Sequence, residues 1–324
     1  MYKHVLKRLV SIIPLLIGVS IISFFVMHLA PGDPTALFVD PSVSPHELAR
    51  IRSNWGLDHP VHVQYFFWLK NVLRGDLGTA YIINHPVTEL IAERIPATLL
   101  LMATSLFFIL LVSIPLGVLS AYKKGRGLDN IISVLSFLGM SIPSFWLALM
   151  LMLLFSVKLG FLPSSGMSDP LLADTSLPGK LADIVRHMVL PVLTMVIIGF
   201  AGLTRYIRSG TIEVLGQNYI KAARAKGLSE RTVLFKHALR NSLLPVITIL
   251  GMTIPDLFAG AFIIETIFAW PGMGRLGIGA VFSRNYPLIM GIVFISSLLI
   301  ILGNLAADVL YSVADPRIRT EGKD

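Results

Sequence analysis

Long uncharged stretches, separated by short clusters of charge, set the pattern of this chain. Residues 9–32 hold 24 positions without Asp, Glu, Lys or Arg, residues 95–122 hold 28, and residues 130–157 hold 28. Residues 187–204 add 18 and residues 285–307 add 23, and an apolar run after Arg240 continues past a single Asp256 to Glu265. About 20 mostly apolar residues carry a helix across the hydrocarbon core of a bilayer. The pattern predicts an all-α polytopic membrane helical bundle with six transmembrane helices, at 9–29, 97–121, 131–156, 188–204, 243–264 and 288–310. Pro14, Pro115, Pro143 and Pro255 fall inside or at the ends of these spans; neighbouring helices in a bundle can satisfy the carbonyls they free. Lys3, Lys7 and Arg8 precede the first span like the basic region of a signal peptide. Its apolar stretch is too long for one and no small-x-small cleavage site precedes Pro31, so it reads as an uncleaved span.

Between the spans the pattern changes. Residues 30–95 form the one long polar interval and read as a small external subdomain. It contains a turn at Pro31-Gly-Asp-Pro34, a helix over 44–55 opened by Ser44-Pro45, and a helix over 59–73 rich in aromatics (Tyr65, Phe66, Phe67, Trp68). Residues 157–187 read as a polar, Pro/Gly-rich loop. In 205–242, Ile212, Leu215, Tyr219 and Ala222 recur at helical spacing on one face, with Glu213, Gln217, Lys221 and Arg224 opposite. Gly227 is placed to cap a helix, and Ser229-Glu230 to start another. The chain thus divides into 1–29 (N-terminus and first span), 30–95 (external), 96–310 (five spans with a loop at 205–242) and 311–324 (tail).

Composition sharpens this reading. The chain is 54% hydrophobic and 14% charged, against about 25% charged for a soluble domain, which argues against a water-soluble enzyme. With no cysteine, thiolate catalysis, Fe–S clusters and Cys-ligated zinc are excluded. The formal charge of +8 in a soluble protein would suggest nucleic acid; here 17 of the 27 Lys and Arg fall on the side of the N-terminus, eight of them in 205–242. Under the positive-inside rule both termini are cytoplasmic.

Candidate chemistry is sparse. Gly272-Met-Gly274-Arg-Leu-Gly277 satisfies the dinucleotide fingerprint, but no strand precedes it and no acid follows about 20 residues on, so a tight external turn is the better reading. Asp256 is the one mid-span acid. Such a group faces the bundle interior or a wet cavity, either as a structural acid or lining a pathway. Glu265 and Asp308 sit near span ends, and His59 and His62 lack a third ligand for a metal. An intramembrane enzyme would need catalytic motifs that are absent, and an ion-coupled secondary carrier would show more ionisable residues within the spans.

Lys221-Ala222-Ala223, three residues and then Gly227 resembles the Glu-Ala-Ala loop of ABC importer permeases, with Lys221 in place of Glu and with His237 and Arg240 in place of its Ile and Pro. The wider strings Ala222–Leu228 and His237–Pro245 are similar to the dipeptide/oligopeptide (peptide/nickel) branch, first-type permease. So are Gly56-Leu-Asp-His-Pro60, Gly75-Asp-Leu-Gly78, Arg94–Leu99, Trp270–Gly274 and Asp315–Arg319. The resemblance implies half of a translocation pathway for short peptides in a bacterial or archaeal cytoplasmic membrane, working by alternating access. Its implied partners are a second homologous permease subunit, two ABC ATPase subunits that bind ATP and Mg, and an extracytoplasmic substrate-binding protein. Nucleic acid is not among them, and this chain itself would carry no cofactor, metal or catalytic residue. The implied ATPase-coupling loop comprises Tyr219, Lys221, Ala222, Ala223, Arg224, Lys226, Gly227, Leu228 and Arg231, with Lys221, Arg224, Lys226 and Arg231 reaching acidic rims on the ATPase. Nickel chelates and glutathione remain alternative cargoes.

Overall fold

The computed structural model describes residues 2–29, 35, 44–81, 83–170, 176–239, 257 and 261–314. Helix dominates among the described residues. Among the described residues four helices are long and apolar enough to span a membrane, or five if one bent pair is a single span. Asp256 and most of the predicted helix 243–264 lie outside the described residues. The chain divides into two compact units.

The first unit comprises residues up to Thr98, Phe258–Phe262 and Pro271–Ala306. Helix α1 (Tyr2–Leu29) is followed by α2 (Pro45–Asn54), which Ser44 caps by accepting the Glu47 N–H, and by α3 (Val61–Val72). Phe24 and Met27 of α1 pack with Tyr65 of α3 and with Met290, and the Ser20 and Tyr65 hydroxyls share a hydrogen bond of 3.0 Å. Helix α4 (Val87–Tyr122) begins ten residues before the predicted span. Counting uncharged positions stops at Arg94. Val87, Leu90 and Ile91 nevertheless repeat at helical spacing and join a buried cluster with Met273, Leu288 and Ile292. Side-chain burial on one face, rather than lack of charge on all faces, sets this helix start.

The second unit takes in Leu99–Leu257, Ile263–Trp270 and residues from Ala307 onward. Helix α5 (Gly127–Ser141) and helix α6 (Ser144–Leu151), which continues as π-helical Met152–Lys158, meet at 101° rather than forming one straight span. Proline is the cause. Pro143 lacks an N–H to donate and pushes Ile142 into an extended conformation, φ −83° and ψ 125°. Helix α7 (Leu177–Leu215) is 39 residues long and absorbs both flanks of its predicted span. It meets α5 closely: a Cβ on Gly139 would lie 2.9 Å from the Ile197 carbonyl oxygen, the small-residue contact typical of membrane helices. Helices α8 (Asn218–Ala225) and α9 (Glu230–Thr232, continuing as π-helical Val233–Ala238) follow, then α10 (Phe262–Ile267) across the unit boundary. The chain closes, back in the first unit, with α11 (Met273–Phe282) and α12 (Tyr286–Ala314), whose last residues return to the second.

The surface is apolar where a soluble protein's would be polar. Ile22 is 65% exposed, Phe107 59% and Ile131 62%, on three different long helices. Exposed apolar faces of this extent mark a surface made to contact something other than water.

Candidate functional site

The segment after α7 folds as helix, glycine turn, helix. Gly216 ends α7, so the face predicted from Ile212, Leu215, Tyr219 and Ala222 does not exist as one surface: the first two lie on α7 and the last two on α8. Burial picks the other side of α8. Ile220 is fully buried and Ala223 nearly so, packed with Val233 and Ala238 against Val214 and Leu215, while Tyr219, Lys221, Ala222, Arg224, Lys226 and Leu228 are exposed. The change of helix axis at Gly216 resets which residues share a face, so a spacing counted across it does not describe one surface.

The turn itself is closed by its own backbone. Leu228 N–H donates to the Ala223 carbonyl at 3.3 Å and Gly227 N–H to that of Arg224 at 2.9 Å, the paired bonds of a Schellman motif. This places Gly227 at φ +78°, where a residue with a Cβ is strained. Ser229 then caps α9 by accepting the Thr232 N–H.

Basic residues of this region divide into two groups. Arg224 forks onto Glu230 with bonds of 2.8 and 3.2 Å, Arg205 stacks on the Phe137 ring at 4.4 Å, and Arg208 holds Asp129. All three make these contacts within their own chain, and Arg224 stays exposed beside Glu230. Lys221 and Lys226, the other cations of α8 and its turn, are exposed as well. Arg231 lies in α9, and Arg240 lies outside the described residues.

Sequence reading missed a buried node. Asp129, with its side chain 4% exposed, accepts two bonds from Arg208, at 2.7 Å to Nε and 2.8 Å to Nη2. Ser120 donates to the same carboxylate, as does the Gly125 N–H at 2.8 Å. Four donors on one carboxylate fix the α4–α5 turn to α7 about two turns before the helix ends. The sequence marked Asp129 only as the edge of an apolar run. Its acid at the start of such a run was the available signal, but Arg208 lies 79 positions away.

The remaining candidates separate. Glu265 is fully buried, and His59 and His62 are exposed. Among the described residues no group of three or more His, Cys, Asp or Glu could hold a metal ion. The glycine fingerprint at 272–277 is not a tight turn but the start of α11. Gly277 is small because Phe262 would stand 3.1 Å from its Cβ.

Two family models match this chain: the binding-protein-dependent transport system inner membrane component over residues 113–320, and its N-terminal counterpart over 1–103. The chain is 44% identical over 319 residues to the oligopeptide transport system permease protein AppB of Bacillus subtilis, covering 98% of this chain and 99% of that one. It is 40% identical over 336 residues to the dipeptide transport system permease protein DppB of Escherichia coli, with the same coverage. To the glutathione transport system permease protein GsiC of Salmonella typhimurium it is 39% identical over 319 residues, again covering 98% and 99%. Among solved structures, a chain of the inward-facing MetNI methionine ABC transporter superposes with a TM-score of 0.55 at 18% identity, over 70% of this chain and 97% of that one.

Proposed function

This chain belongs to the family of binding-protein-dependent transport system inner membrane components, and on that premise we propose that it is the permease subunit of an ABC importer for dipeptides and oligopeptides. The full-length identity to an oligopeptide and a dipeptide permease carries this reading. Glutathione, itself a tripeptide, is a second cargo favoured by the relative at 39% identity. The complex consists of this subunit, a second permease, two ATPases and an extracytoplasmic binding protein, and both termini of this chain face the cytoplasm.

In this reading α8 and its glycine turn are the ATPase-coupling element. Tyr219, Ala222 and Leu228 present exposed apolar surface beside Lys221 and Lys226, with Arg231 following in α9. The face opposite docks on Val214 and Leu215, so a push on α8 loads α7 directly. The Asp129–Arg208 node supports transmission of that push to α5, since a packed, hydrogen-bonded element moves as a body. Asp256 lines the pathway and meets the ammonium group of a peptide. The test is ATP-dependent uptake of labelled dipeptide and oligopeptide by the reconstituted complex. Uptake that persists without ATP, or an absence of peptide uptake with all partners present, rejects the function. Asp256→Asn with full assembly and unchanged uptake of every peptide rejects the role of that acid alone.

A further inference from the structure

The first unit contains a cavity of about 400 Å³ between the start of α4, α11 and the start of α12. That volume lies in the range of about 300–1,000 Å³ typical of small-molecule sites. Its polar lining is one-sided in charge. Arg94 comes from α4 and Arg275 from the first turn of α11, and among the described residues no Asp or Glu lines the cavity. Arg94 is half-buried and makes no ion pair or hydrogen bond among the described residues. A partly desolvated guanidinium without a counter-charge is costly, and an anion in reach relieves that cost. The N-terminus of α11 adds partial positive charge on the same side.

Neutral donors complete the site. Asn285 is 2% exposed, and its amide oxygen accepts the Tyr81 N–H at 3.3 Å. That bond fixes the amide's direction and leaves its NH₂ without a partner among the described residues. The rest of the wall is apolar, with Ile83, Leu276 and Leu288. A planar fork, a second cation, an amide donor and an apolar wall suit a carboxylate attached to a short aliphatic group. Sulfate or phosphate would gain nothing from that wall.

We propose that this cavity binds the C-terminal carboxylate of the transported peptide, with Arg94 as its principal ligand and Arg275 and Asn285 beside it. The proposal rests on the peptide reading above. It adds a recognition point within the permease for the one charge that every unmodified peptide carries at its C-terminus. By the predicted topology Arg94 and the 265–287 connection lie on the external side, where the binding protein releases cargo.

The experiment compares uptake of trialanine and trialanine amide by the complete reconstituted complex, with the same binding protein throughout. Arg94→Gln is expected to lower trialanine uptake about tenfold, the worth of one charged hydrogen-bonded contact, and to leave amide uptake within twofold. Arg94→Lys, which keeps the charge, is expected to recover at least a third of the loss. Arg284→Gln, which removes a cation outside the lining, is expected to change neither. Equal losses for both probes would place the contact on the binding protein or in folding, and either overturns the site. Unchanged trialanine uptake in Arg94→Gln overturns it as well, while leaving the peptide reading intact. A wild-type complex that carries neither probe overturns the peptide reading, and the site with it.

Discussion

Two arginine–carboxylate forks in the same unit show how position decides what a bond is worth. Arg208 grips Asp129 where the carboxylate is 4% exposed and the arginine 27%. Arg224 grips Glu230 at nearly the same distance, 2.8 Å, where the two are 40% and 49% exposed. Geometry alone would rank them together. Solvent separates them: in water each charge keeps good alternative partners and the pair gains about 0–1 kcal/mol, whereas a buried charge that loses its partner has nothing to replace it. The first fork holds helices in register, and the second decorates a turn that its backbone already closes.

Breaking the buried fork has the largest expected effect. Arg208→Leu leaves Asp129 with only Ser120 and Gly125 as donors, and is expected to cost about 3–5 kcal/mol. Thermal unfolding in detergent, followed by circular dichroism, checks this. The double change Asp129→Leu with Arg208→Leu is expected to recover most of the loss, and a double variant as unstable as the single would refute the account of an orphaned buried charge.

Ile220→Ala comes next. Removing a fully buried side chain from the small cluster under α8 is expected to cost about 2–4 kcal/mol, seen as faster amide exchange over residues 218–225. Exchange unchanged from wild type would mean that the helix is held from elsewhere. Gly227→Val follows, at about 1–2 kcal/mol for forcing a β-branched residue to positive φ. Nothing lies within 4 Å of a Cβ there, so the penalty is in the backbone and not in a clash. ATP hydrolysis without matching uptake is the expected readout, and intact coupling would remove α8 from the coupling role. The smallest effect belongs to the exposed fork. Arg224→Gln is expected to shift stability by about 0.5 kcal/mol or less and to lose even that in 1 M salt; a loss as large as that of Arg208→Leu would dissolve the contrast between the two pairs.

The class of the fold was legible because hydropathy is local. Each run of uncharged residues could be measured without knowing what it packs against, and four of the six predicted spans contain long apolar helices at the expected places. Helix ends were less legible. Val87–Arg94 carries charges on one face yet buries the other, and a count of charges cannot see faces; Leu177–Arg186 is helical although it carries Lys180, Asp183 and Arg186 and buries Asp183. The broken span at Ile142–Pro143 was written in the sequence, since a proline in a long apolar run signals either a kink tolerated in place or a true change of direction. Only packing selected between the two.

Within the candidate site the caps were local as well. Gly227 and Ser229 announce themselves because their roles depend on a few neighbouring backbone groups. The apolar face of α8 did not, because it depends on which way the chain turns after Gly216. Asp129–Arg208 and the cavity at Arg94 were beyond reach for the same reason: their members come from helices far apart in the chain.

Sequence by itself therefore determined that this is a helical membrane protein, roughly where its helices run, and, through resemblance, its family. Tertiary structure decided which charges are paired, which are left facing a cavity, and which side of a short amphipathic helix is offered to solvent. The division follows from range: transfer into a bilayer is summed residue by residue along the chain, whereas pairing and burial are properties of residues that meet only after folding.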